Sequence, residues 1–207
     1  MNLKLFGEHT IDVDKLTGGA VLDAGCLNFH LMRVAASFGC KPVVGIDPSP
    51  DIEVPADLES FGKFWNAALV PDARVGSERM VKRLKMTIDR QGRHLSDSSD
   101  DGKYVDVVCT DINELSRLWL KPGEIWDVVK LDIEGGEMAV LEAWPGPITR
   151  QLTVEFHEHC WPQPPARYEA IFEKLSQWYD VVQHEKEPRH CGHPNWFDTL
   201  LVLKEGI

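Results

Sequence analysis

The chain has 207 residues, 43% hydrophobic and 27% charged, with 22 Lys+Arg against 33 Asp+Glu and a net charge of −11. That is the size and balance of one soluble globular domain whose core needs no disulfide staples. The acidic balance, with no Lys/Arg run beyond a dipeptide, argues against nucleic acid as a main partner, and no window approaches the roughly 18 apolar residues of a membrane span.

The opening segment Met1–Glu8 has no long apolar stretch and no cleavage-like site, so no secretory signal is expected. The cysteines (Cys26, Cys40, Cys109, Cys160 and Cys191) are odd in number and scattered, which fits a reducing cytoplasm better than a disulfide framework. Ala20-Val-Leu-Asp-Ala-Gly25 reads as a buried strand ending in a turn. Asn28 to Phe38 follows with apolar residues at helical spacing and Gly39 as a stop. Pro42-Val-Val-Gly-Ile-Asp47 is a second buried strand, so the segment is a βαβ unit and implies a parallel sheet. Further strands are predicted at Phe64–Val70, Val105–Thr110, Trp126–Ile133, Leu152–His157 and Phe197–Leu203. Helices are predicted at Gly136–Ala143 and Arg167–Trp178. Val81–Ile88 is compatible with a helix or an edge strand, with strand preferred and a turn near Gln91-Gly92. The alternation predicts a doubly wound α/β fold with a mostly parallel sheet and an antiparallel last strand. It forms one domain over 1–207, with a polar insertion or edge hairpin around 78–103.

In such sheets, ligands bind outside the carboxyl ends of the strands. Asp23-Ala-Gly25-Cys26 lies at the end of the first strand, where a glycine lets the backbone pass close to a ligand. Asp47, at the end of the second, can accept hydrogen bonds from both ribose hydroxyls of an adenosine-type cofactor. A dinucleotide loop would need Gly-x-Gly-x-x-Gly, and here only Gly25 is present, followed by Cys26, Leu27, Asn28 and Phe29. A carboxylate at Asp23 suits the cationic S-adenosylmethionine better than a pyrophosphate.

The motif order resembles the FkbM-type methyltransferases. Val21-Leu-Asp-Ala-Gly25, Gly45-Ile-Asp47-Pro48-Ser-Pro50, Asn66-Ala67-Ala68-Leu69 and Thr110-Asp111-Ile-Asn-Glu-Leu115 are similar to the family's successive elements. The sharpest match is Val129-Lys130-Leu-Asp132-Ile-Glu134-Gly135-Gly-Glu137-Met-Ala-Val-Leu141, completed by Glu155. The resemblance implies a Rossmann-like class I methyltransferase fold and S-adenosylmethionine as cofactor. It places Asp23, Gly25, Cys26, Asn28, Asp47, Pro48, Asn66, Ala67 and Asp111 around that cofactor. Where the family's first motif continues to a second glycine, this chain has Cys26-Leu27-Asn28-Phe29, so Phe29 is expected to narrow the pocket or reshape the loop.

Strand alternation puts Lys130, Asp132 and Glu134 on one face, and in the next strand aligns Thr153, Glu155, His157 and His159. Charges in a parallel sheet are costly unless paired, so these residues form a polar cleft or an ion-pair network. For methyl transfer to a hydroxyl, His157 is the candidate base, Asp132 and Glu134 orient the acceptor or hold a metal, and Lys130 pairs with Asp132 or Glu155. Glu137 is expected to cap the following helix. The pieces His157-Glu-His159-Cys160 and His190-Cys191-Gly-His193 carry zinc-type ligands, in a spacing that fits polar loops around a cleft better than a zinc module. A hard divalent ion on Asp132, Glu134 and Glu155 is the other metal arrangement considered. The activity expected is O-methylation of a small-molecule or glycosyl hydroxyl. The competing readings are a non-catalytic cofactor-binding relative and a metal-binding protein or hydrolase.

Overall fold

The computed structural model describes residues 1–6, 9–75, 78–86, 103–157, 164–184 and 196–207. The elements, in order, open with a hairpin of β1 (Leu3–Phe6) and β2 (His9–Asp12), followed by β3 (Val21–Ala24), α1 (His30–Ser37) and β4 (Val43–Ile46). Next come α2 (Leu58–Phe61), β5 (Lys63–Trp65), β6 (Ala68–Leu69), β7 (Arg74–Val75), β8 (Glu78–Arg79), β9 (Val81–Met86), β10 (Lys103–Thr110) and α3 (Ile112–Trp119). The chain finishes with β11 (Trp126–Leu131), α4 (Glu137–Glu142), β12 (Thr149–His157), α5 (Pro165–Leu175), β13 (Tyr179–His184) and β14 (Trp196–Leu203).

The main sheet has seven strands in the order β13-β14-β12-β11-β3-β4-β5. Strands β12, β11, β3, β4 and β5 run parallel, and β14 is antiparallel to both β12 and β13. This is the doubly wound, mostly parallel sheet with a reversed last strand that the alternation predicts. The central strands are buried on both faces, which is why β3, β4 and β11 read as mostly apolar runs without polar alternation. On β3, Leu22 and Ala24 enter one core with Trp126, Trp144 and Phe156, while Val21 enters a second with Phe29, Met32 and Val128. Helix α1 buries Leu31, Met32 and Ala35, and α5 begins on Pro165, where a missing N–H is harmless.

The segment 64–70, predicted as one strand, is two. β5 pairs with β4, whereas β6 pairs with β10 in a separate sheet ordered β6-β10-β9. The break has a local cause: Asn66 Nδ2 donates to the carbonyls of Asp47 at 2.9 Å and Ser49 at 2.8 Å, holding the chain against the β4 loop instead of along it. Both halves are apolar, so hydropathy does not register the break. The strand at Val105–Thr110 is the C-terminal part of β10 and lies in this smaller sheet. The ambiguous stretch after Met80 is β9, antiparallel to β10, and the turn placed near Gln91-Gly92 lies outside the described residues. The hairpin β1–β2 was not foreseen. It is tied across the main sheet by Gln151 of β12, which accepts from the Asp12 amide at 2.8 Å and donates to the Asp12 carbonyl at 3.1 Å.

Candidate active site

The carboxyl ends of β3, β4, β11 and β12 open on the same edge, and two groups of side chains meet there. The first surrounds the turn after β3. Gly25 has φ of +82°, and a Cβ at this position would collide with the backbone carbonyl of Asp132, so the residue must be glycine. Its amide and that of Cys26 bond the Ile46 carbonyl at 2.9 and 3.3 Å, fixing the turn against β4. Asn28 Oδ1 accepts from the His30 amide at 2.9 Å, closing the entry to α1. Phe29 takes the left-handed conformation, φ 56°, that glycine ordinarily supplies, and its ring is buried edge-on against Phe64 at 5.5 Å between centroids. The ring thus packs into the second core. The Cys26 side chain is likewise buried in the second core, so this residue faces a ligand only through its backbone.

Asp47 is 5% exposed, and its Oδ1 accepts from the Ser49 amide at 2.8 Å. Burial pushes its carboxyl above the usual range, against the Ser49 hydrogen bonds and the Lys130 charge. Pro48 follows it in the chain, and Asn66 Nδ2 donates to its carbonyl, with the next residue, Ala67, buried. Asp111 is the N-cap of α3, accepting from the Glu114 amide at 2.8 Å and, through its other oxygen, from Ala73 at 3.2 Å. Both of its carboxylate oxygens thus serve the fold.

The second group lies at the ends of β11 and β12. Lys130 Nζ sits 3.1 Å from Asp23 Oδ1 and 3.0 Å from Asp132 Oδ2, and donates to the Gly25 carbonyl at 2.7 Å. Burial alone would drive this lysine to lose its proton, but Asp132 and Asp23 hold it above the usual lysine range. Burial would likewise raise Asp132, but the Lys130 ammonium, with His9 and His157, holds it far below the usual carboxylate range. The alternation argument brings Lys130 and Asp132 together. The structure pairs Lys130 with Asp23 as well, a partner not foreseen.

His157 is bonded through Nδ1 to Glu137 Oε1 at 3.0 Å, and its Nε2 faces Glu134 at 3.5 Å, Asp132 at 3.7 Å and Glu155 at 3.8 Å. Burial disfavours its charge, yet Glu137, Glu134 and Asp132 overcome this and push its pKa up to about 10. Glu137 does not cap α4 as expected. Its carboxylate turns back to accept from the amides of Ile133 at 2.9 Å and Gly135 at 3.1 Å, bracing a loop in which Glu134 is left-handed at φ 54°. Glu137 is therefore the positioning partner of His157.

One member was missed. His9, on β2, is 3% exposed and lies with Nδ1 3.3 Å from Thr153 Oγ1 and Nε2 3.5 Å from Asp132 Oδ2 and 3.9 Å from Glu155 Oε2. Only the hairpin brings it there, and no motif marks it. Of the histidine- and cysteine-rich pieces, only His157 is described. His159, Cys160, His190, Cys191 and His193 lie outside the described residues. No helix among the described residues is long and apolar enough to cross a membrane.

No curated protein sequence matches the chain. Among solved structures, a fibrillarin pre-rRNA processing protein of Methanococcus jannaschii aligns with 97% of this chain and 70% of its own, at 12% identity and a TM-score of 0.52. A ribosomal protein L11 methylase of Lactobacillus delbrueckii aligns over 89% and 70%, at 12% identity and a TM-score of 0.41. A TehB-like SAM-dependent methyltransferase of Corynebacterium glutamicum aligns over 90% and 81%, at 12% identity and a TM-score of 0.41. The methyltransferase FkbM domain model matches residues 25–185, the span that carries the Gly25 turn, the Lys130–Asp132 pair and His157. The chain thus belongs to the FkbM methyltransferase domain family, whose cofactor is S-adenosylmethionine.

Proposed function

We propose that the chain transfers the methyl group of S-adenosylmethionine to a hydroxyl of a small-molecule or glycosyl acceptor. The observation that carries the reading is the juxtaposition of two sites by one residue: Lys130 binds the turn at Gly25 and the carboxylate of Asp132 at once. On the cofactor side, the loop Asp23 to Asn28 takes the methionine part, and Asp47 takes the ribose hydroxyls. Pro48, Asn66, Ala67 and the backbone at Asp111 wall the adenine. On the acceptor side, Asp132, Glu134, Glu155 and His157 present a polar surface.

Methyl transfer is an in-line displacement, and most of its rate comes from holding the acceptor oxygen against the methyl carbon. The O–C bond forms as the S–C bond breaks, the sulfonium becomes a neutral thioether, and the hydroxyl proton passes to one of the three carboxylates. With its pKa pushed up to about 10 in this arrangement, His157 is protonated at neutral pH while no ion is bound, and its charge keeps the three carboxylates beside it ionised. A hydroxyl fits this surface because carboxylates accept its proton, which helps a base-assisted step by about 10²- to 10⁴-fold.

Isothermal titration with S-adenosylmethionine and S-adenosylhomocysteine, followed by transfer of labelled methyl to a panel of polyols and glycosides, tests the proposal. The expected result is binding of both cofactor forms and label in an alkali-stable ether. Glu155→Gln should lower turnover by about 10²-fold or more with cofactor affinity unchanged. No binding of either form at high micromolar concentration, or label appearing only on nitrogen, would overturn it.

A further inference from the structure

We propose that the cluster at the ends of β11 and β12 is a divalent metal site, with His157 Nε2, Asp132 Oδ1, Glu134 Oε2 and Glu155 Oε1 as ligands. Asp132, Glu134 and His157 offer donor atoms that all lie within 4.8 Å of one another, as do His9, Asp132 and Glu155. From His157 Nε2 the three carboxylate oxygens are 3.5, 3.7 and 3.8 Å away. Ligand bonds of about 2.0–2.2 Å place neighbouring donors about 3–3.5 Å apart, so small side-chain motions close this cage on an ion.

Three further features point to an ion. The first is the partner of the ligand histidine. His157 Nδ1 meets Glu137 at 3.0 Å, and Glu137 is itself braced by the Ile133 and Gly135 amides. A carboxylate behind a histidine fixes the tautomer in which Nε2 coordinates, the ion taking the place of the proton that Nε2 carries in its absence. The second is His9. Its Nε2 is buried without a hydrogen-bond partner and is aimed at Asp132 Oδ2 and Glu155 Oε2, the oxygens turned away from His157. Metal sites place hydrogen bonds at such outer oxygens, and a buried donor left unsatisfied there is costly in an empty site. The third is charge. Lys130 neutralises Asp23 and Asp132 Oδ2, while Asp132 Oδ1 faces His157 together with carboxylate oxygens of Glu134 and Glu155, so three acidic groups converge on one imidazole nitrogen.

One imidazole and three carboxylates suit a hard-to-borderline ion such as Mn²⁺ better than a thiolate-seeking one. Its role in catalysis rests on the methyltransferase reading: an ion in the cage would bind the acceptor oxygen and ease its deprotonation. Its binding does not rest on that reading.

The test uses the full chain, stripped with a chelator and titrated with Mn²⁺ by electron paramagnetic resonance and calorimetry, without cofactor. One Mn²⁺ per chain with a micromolar Kd is expected. Glu134→Gln and His157→Gln should each weaken it more than tenfold, and His9→Asn by about 10- to 100-fold. S-adenosylhomocysteine binding, measured on every variant, reports that the fold persists. A chain that binds S-adenosylhomocysteine but none of Mn²⁺, Co²⁺, Zn²⁺ or Mg²⁺ overturns the metal site. So does Mn²⁺ binding untouched by the Glu134 and His157 variants. A chain that binds Mn²⁺ in this pattern but neither cofactor form overturns the methyltransferase reading and leaves the metal site standing.

Discussion

Asp47 shows what burial does to a single carboxylate. Its carboxylate is buried against the turn that precedes Ser49, and burial raises its folded-state pKa. A carboxyl raised in the folded state favours folding fully below its unfolded pKa of about 3.9, and that contribution is lost as pH rises through the folded value. Asp47→Asn removes the titration. In urea denaturation at a series of pH values, the variant should therefore gain on the native protein as pH rises from about 4. The same change removes the charge and one of the two acceptor oxygens proposed for the ribose hydroxyls, so S-adenosylhomocysteine affinity should fall about 10- to 100-fold by calorimetry, the loss of a hydrogen bond to a charged group. Residues of this kind were legible because they end buried strands: Asp23, Asp47, Lys130 and Asp132 all follow from the run of apolar residues before them. His9 was not legible. Its contact with Thr153 spans 144 positions, and no periodicity within β2 records which strand it will meet.

Among the elements, β2 has the largest consequence for its size. It carries four residues, all buried, and places His9 beside β12 because Gln151 clasps the backbone of Asp12 from both sides. Gln151→Leu keeps the volume and leaves a buried amide and carbonyl without those partners. It should cost about 1–3 kcal/mol in denaturant unfolding, with S-adenosylhomocysteine binding kept, because the cofactor loop lies on β3 and β4. The long elements were readable from pattern: α1, α5, β3, β4 and β11 fall within a few residues of their expected positions. The misread ones are those decided by side chains bonding to distant backbone. Asn66 divides β5 from β6, and Glu137 braces a loop instead of capping α4. Hydropathy sees burial, and both choices are buried.

For the whole molecule, the parallel run β12-β11-β3-β4-β5 was legible as alternating strands and helices, whereas β13, which no predicted strand covers, and the separate sheet of β6, β10 and β9 were not. The net charge of −11 sets what such a molecule meets in solution. Non-specific binding to nucleic acid is supplied by phosphate contacts to a basic face, with Kd of about 10⁻⁴–10⁻⁶ M even for proteins that have one. A gel-shift assay at physiological salt should show no complex with duplex DNA or structured RNA at about 10 μM protein, and a clear low-micromolar shift would reveal a basic cleft.

Lys130 gives this architecture a consequence for the order of events. An ammonium has three donors. Here they are directed at the Gly25 carbonyl, Asp23 and Asp132. Two ligands that meet on opposite flanks of one charge are energetically linked, and the linkage is reciprocal: whatever factor the acceptor imposes on cofactor affinity, the cofactor imposes on the acceptor. Spent cofactor has lost its positive sulfur, so the field around Lys130 differs before and after turnover. If the proposed half-sites are the two flanks of this side chain, each is sensitive through it to whether the reaction has happened.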